Sequence, residues 1–169
     1  QESKKKILKK ISKKINSIVG NNLTFVEFGS GSTDKIRILL SNQVKFYVPL
    51  DISFEFINQS SGKLFRSFHK LKILPTYCDY TKYIRLPKNV SKTKVGFFLG
   101  SSIGNFYNGE EKKFLVNARK TLCKKSFLLV GVDLIKNIQI LRKAYNDKAN
   151  FTTRFNLNLI NIINSKVKT

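Results

Sequence analysis

The residues best suited to chemistry in this chain lie on turns that follow apolar runs. Phe25-Val26-Glu27-Phe28 leads into Gly29-Ser30-Gly31. With no Cβ in the way, such a turn lets backbone approach a ligand closely. Asp51 closes the next apolar run, about 20 residues further on, where an acid accepts hydrogen bonds from ribose hydroxyls. The dinucleotide fingerprint G-x-G-x-x-G is incomplete, because Asp34 stands where the third glycine belongs. Asp79 and Tyr80 form an acid–aromatic pair of the kind that holds a purine: the acid accepts the exocyclic amine and the ring lines the pocket. The plain alternative is an aspartate capping a turn. Asn105 ends Gly100-Ser101-Ser102-Ile103-Gly104-Asn105 and either offers its amide to a substrate head group or simply forms a turn. His69 is the only histidine and is given no role. Cys78 and Cys123 match no zinc spacing and need not pair, which fits a reduced, cytoplasmic protein.

Regular elements must position these residues. Leu23 to Phe28 reads as a short buried strand, and Thr33 and Asp34 offer N-cap chemistry for a helix from Asp34 to Ser41. Val44 to Leu50 is strand two. Residues 52 to 68 read as helix around a break at Ser60-Ser61-Gly62. Leu71 to Tyr77 is strand three, at a sheet edge because Pro75 removes a ladder donor. Lys94 to Leu99 is strand four, Glu110 to Leu122 an amphipathic helix, and Ser126 to Val132 strand five. A helix to Tyr145 and a last one from Phe151 to Val167 follow. Near the amino terminus, Ile7, Leu8, Ile11, Ile15, Ile18 and Val19 share one helical face and lysines most of the other, with Gly20 as C-cap. That helix is expected to pack on its own sheet rather than on a membrane. Strand, glycine turn and helix opening together form the ligand corner of an open α/β sheet.

The length allows one domain with a proper core, and no apolar run reaches membrane-spanning length. A net charge of +22 invites a nucleic-acid reading. The lysines, however, are spread along the whole chain, as a lysine- and asparagine-rich composition would place them.

With these residues in place, the chain resembles the histidine-specific, S-adenosylmethionine-dependent methyltransferase family, whose best-known members trimethylate the α-amine of L-histidine in ergothioneine synthesis. The segments VEFGSGSTDKIRILL, YVPLDIS, CDY, FFLGSSIGN, LLVGVDLIK, AYND and FNLNLINIIN come in the family's order across nearly all of the chain. FLGSSIGN, AYND and FNLN are the distinctive ones. The resemblance implies an α/β fold, a class I methyltransferase Rossmann-like sheet with strands 1–5 present and C-terminal strands and substrate-domain parts missing. It also implies S-adenosylmethionine as cofactor. Gly29 would lie under its methionine part, Lys35 would help hold it, Asp51 would bind the ribose, and Asp79 and Tyr80 the adenine, with Tyr80 where the family usually has Phe. Asn105 and Tyr145 would bind the head group of a small amino-acid substrate.

The family's N-terminal tyrosine-bearing segment and its imidazole-reading residues have no counterpart, so residues 1–169 are expected to be one cofactor-binding domain truncated at both ends. No catalytic base is assigned and no metal is expected. The expected protein is a monomer. Two other readings compete: a methyltransferase of a tryptophan-derived amine, which shares the cofactor motifs, and a nucleic-acid-binding protein or RNA methyltransferase, which the charge suggests and the motifs do not.

Overall fold

A computed structural model of the chain describes residues 2–41, 43–100, 102–132, 134, 137–139 and 151–167. It divides into two compact units, residues 1–132 and 133–169.

The first unit is built on a parallel sheet. β1 (Leu23–Phe28) pairs with β2 (Val44–Asp51) on one side and β5 (Lys94–Phe98) on the other. β6 (Phe127–Val130) extends the sheet beyond β5. Beyond β2 lie two short strands, β3 (Lys72–Ile73) and β4 (Thr76–Tyr77), so the order is β3/β4-β2-β1-β5-β6. All six residues of β1 are buried, as expected of a central parallel strand covered on both faces.

Strand three of the sequence reading is thus real but interrupted. Pro75 and Leu74 separate β3 from β4, and the run sits at the sheet edge, as its proline requires. The gap falls opposite Pro49 of β2, a second residue without a donor. Phe46 and Tyr47 pair with β3 before it, and Leu50 and Asp51 pair with β4 after it.

Helices cover both faces. α1 (Glu2–Val19) lays Leu8, Ile11, Ile15 and Val19 against a core of Leu23, Phe25, Ile36, Leu39, Tyr47 and Phe97. Its apolar face is therefore used inside the fold, while Lys5, Lys6, Lys9, Lys10, Lys13 and Lys14 are exposed. Gly20 ends it at φ +78°, the conformation of a C-cap glycine. On the opposite face Val26, Phe28, Val48, Leu50 and Phe98 meet α4 (Glu110–Leu122) through Phe114 and Ala118. Phe114 lies 4.5 Å from Phe98 and 5.6 Å from Phe28, centroid to centroid.

Two expectations change. α3 (Phe54–Phe65) runs unbroken through Ser60-Ser61-Gly62. Both serines are buried, and the Ser60 hydroxyl donates to the Ile57 carbonyl at 3.1 Å, so the small side chains face the sheet and stay within the helix. α2 (Asp34–Leu39) stops two residues early, with Leu40 extended, and Thr33 stands at its N-cap without a side-chain hydrogen bond. In the second unit, α5 (Phe151–Val167) takes up the expected last helix. Among the described residues, no helix is long and apolar enough to cross a membrane.

Candidate functional site

The chain runs from β1 outward to β2 and the edge, then returns to place β5 beside β1. The carboxyl ends of β1 and β5 therefore flank the point where the winding reverses, the usual ligand crevice of an open α/β sheet. The glycine turn follows β1 into this crevice. Gly29 and Gly31 have φ of +67° and +48°, which favour glycine. The amides of Gly29 and Ser30 both donate to the Leu50 carbonyl, at 2.9 and 3.1 Å, and tie the turn to the end of β2. Ser30 is buried, and its hydroxyl has no partner among the described residues.

Asp51 stands at the end of β2, beside this turn. Its Oδ2 accepts from the Gly31 amide at 3.2 Å and its Oδ1 from the Ser53 amide at 3.0 Å. Backbone donors thus hold an anionic acceptor against the glycine turn. Lys35, in the first turn of α2, donates from Nζ to the Leu99 carbonyl at 2.6 Å. It spans the reversal point and joins the helix after β1 to the end of β5. Lys5, Lys9, Lys35 and Arg37 also line a cleft of about 570 Å³ between α1 and α2, beside Ser32 and Asp34.

Asp79 adopts the plain arrangement weighed for it. Its Oδ1 accepts from the Thr81 amide at 3.1 Å and hydroxyl at 2.6 Å, while its Oδ2 pairs with Lys82 at 3.2 Å. The Thr81 bond and the lysine hold its carboxyl below the usual range. Tyr80 reaches into the crevice. A Cβ built on Gly29 would lie 3.0 Å from its Cζ and 3.2 Å from its hydroxyl oxygen. Burial, then the charges of Asp51 and Asp79, push the Tyr80 phenol upward. The same three influences push the Cys78 thiol to about 11, so this cysteine stays protonated and unreactive at neutral pH.

Gly29, Lys35, Asp51 and Tyr80 therefore meet at one crevice, with Asp79 next to Tyr80 in sequence and turned to its own loop. Asn105 closes a 3₁₀ turn, Ser102–Asn105, after β5, and is exposed. Tyr145 and the AYND segment lie outside the described residues.

Sequence reasoning missed a buried polar pair beneath the turn. Glu27 of β1 is 2% exposed, and its Oε2 accepts from the Tyr47 hydroxyl of β2 at 2.5 Å. Burial is the main cause that raises its carboxyl from 4.5 to about 7. The Tyr47 bond and Lys35 lower it, and Asp51 adds a smaller rise. The available signal was one acid inside a mostly apolar strand, two residues before a glycine turn.

Comparison with known proteins adds identity to this geometry. A family model described as histidine-specific methyltransferase, SAM-dependent, matches residues 2–169. The chain is 32% identical over 161 residues to ergothioneine biosynthesis protein 1 of Neurospora crassa, a match covering 90% of this chain and 18% of that protein. It is 29% identical over 151 residues to histidine N-alpha-methyltransferase of Mycobacterium tuberculosis, covering 86% and 46%. The chain thus spans less than half the length of these two relatives. Among solved structures, it is similar to an S-adenosylmethionine-dependent methyltransferase from Clostridium acetobutylicum, with TM-score 0.53, 16% identity and coverage of 75% and 49%. A glycopeptide N-methyltransferase gives TM-score 0.53, 12% identity and coverage of 74% and 52%. At such identities the likeness is one of fold.

Proposed function

Because the chain belongs to the histidine-specific, S-adenosylmethionine-dependent methyltransferase family, we propose that it binds S-adenosylmethionine in the crevice at the carboxyl ends of β1, β2 and β5 and methylates the α-amine of L-histidine. The observation that carries this reading is the hydrogen bond from the Gly31 amide to Asp51, which joins the glycine turn to a ribose acceptor in one corner.

Three features support a fit to that cofactor. Gly29 has no Cβ, so the Tyr80 ring comes up against the glycine turn. The Ser30 hydroxyl is buried without a partner among the described residues. Asp51 is an ionic acceptor fixed by two amides. Gly29 would face the methionine part with help from Lys35, Asp51 would accept the ribose hydroxyls, and Asp79 and Tyr80 would take the adenine. For this, Asp79 has Oδ2 to offer, since its pair with Lys82 is exposed and weakly held.

When bound, the cofactor supplies an electrophilic methyl group on a sulfonium. The chain's contribution is alignment and exclusion of water. In this reading Asn105 and Tyr145 hold the amino-acid head group and orient its nitrogen, which must be neutral because an ammonium has no lone pair. The 169 residues act as one cofactor-binding domain, as a cytoplasmic monomer, on a small amino acid.

Calorimetry with S-adenosylmethionine on wild type and Asp51→Ala is the first test. Binding in the micromolar range, weakened at least about tenfold in the variant by loss of a charged hydrogen bond, is the expected result. No binding by folded wild type sinks the reading. Mass spectrometry of L-histidine incubated with protein and cofactor then tests the substrate, with a tryptophan-derived amine as comparison.

A further inference from the structure

We propose that Glu27 and Tyr47 form a proton-holding pair beneath the glycine turn, one that gives up its proton when the positively charged cofactor binds and so ties cofactor affinity to pH. This rests on reading the crevice as an S-adenosylmethionine site and makes Glu27 a positioning residue.

Glu27 lies on the central strand, in register with Pro49 of β2 and Phe97 of β5. Its side chain is enclosed, and Tyr47, its hydrogen-bond donor, is 0% exposed. A buried carboxylate is stable only when paired or well solvated by donors. Among the described residues, three ionisable groups act on it. β2 supplies the Tyr47 phenol and the Asp51 carboxylate, and α2 supplies the Lys35 ammonium. β5 places the uncharged Phe97 alongside. Among the described residues none forms an ion pair with Glu27, and Lys35 instead holds the Leu99 carbonyl.

The pair therefore has two states. With its proton, Glu27 is a neutral acid sharing a hydrogen bond with a phenol. Without it, Glu27 is an anion with no ion pair among the described residues, under the field of Lys35 on one side and of a second anion, Asp51, on the other. A ligand that brings positive charge into the crevice stabilises the second state, and the proton leaves to solvent. Burial, partly offset by Tyr47 and Lys35, sets the balance near neutrality, where a modest added field moves it. When the ligand's charge is lost, the proton returns.

Calorimetry of the full chain at pH 7 in two buffers of different ionisation enthalpy counts the protons released. Wild type is expected to release about half a proton more per S-adenosylmethionine than Glu27→Gln. From pH 6 to pH 8 the wild-type affinity is expected to rise about tenfold, and that of Glu27→Gln to change little. Tyr47→Phe provides a second handle if Glu27→Gln folds poorly. Losing the phenol leaves the carboxyl more fully protonated, so release at pH 7 should increase toward one proton.

S-adenosylhomocysteine keeps the ammonium but lacks the sulfonium charge. Release with both ligands assigns the effect to the ammonium, and release with S-adenosylmethionine alone assigns it to the sulfonium. Either supports the pair. Binding with equal proton release in wild type and Glu27→Gln overturns it and leaves the cofactor site standing, whereas failure of folded wild type to bind overturns both.

Discussion

Glu27 affects stability as well as binding. Its folded carboxyl titrates at about 7 against 4.5 for the ordinary side chain, so the native state holds a proton that the unfolded chain has lost. The stability this provides is full below about 4.5 and is lost as pH rises through 7. The total is on the order of 3 kcal/mol. Urea unfolding across this window should show Glu27→Gln gaining on wild type as pH rises, then staying level above it. Parallel curves would show that the carboxyl is not held protonated. At Gly29, alanine meets both a positive φ and the Tyr80 ring. Gly29→Ala should cost about 1–2 kcal/mol for the backbone alone and weaken cofactor binding. Adding Tyr80→Ala should restore part of the lost stability if the ring is the obstacle, which a double-mutant cycle of unfolding free energies reads directly. That Gly29 and Asp51 belong to one corner was legible because spacing alone flags a glycine turn and an acid at the end of the next strand. Glu27 was not, since only the neighbouring strand reveals how deeply it is buried and that Tyr47 meets it.

At the scale of elements, apolar runs made the five strand positions legible, and the class I methyltransferase sheet assembled from them is the fold observed. The breaks were harder to read. Pro75 marked an edge, yet its coincidence with Pro49 across the pairing depends on register. Ser60-Ser61-Gly62 looked like a helix break because these residues favour turns in isolation. Packing the two serines against the sheet overrides that preference. Gly96 in β5 is a related case. A Cβ there would lie 2.6 Å from Leu122 Cδ1 and 2.9 Å from Leu128 Cδ1. The glycine lets α4 and β6 close over the strand. Gly96→Val should destabilise by roughly 1–3 kcal/mol, lowering the urea midpoint. An unchanged midpoint would mean that the two leucines move aside without cost.

For the molecule as a whole, the charge of +22 is the dominant electrostatic fact. Self-repulsion on this scale opposes compaction, and added salt screens it. The melting temperature should therefore rise from low to moderate ionic strength, as differential scanning fluorimetry would record. A melting temperature insensitive to salt would show that the lysines are too far apart to repel one another appreciably. The pairing of tyrosines with the ligand crevice has an optical consequence. The chain contains six tyrosines and no tryptophan, so its near-ultraviolet emission is dominated by tyrosine. One emitter, Tyr80, lies against the glycine turn, and another, Tyr47, shares its phenolic hydrogen with a carboxyl group, an arrangement that dims such emission. Two of the six lamps thus stand where a bound molecule would be felt, and the unlabelled protein carries its own spectroscopic gauge of occupancy.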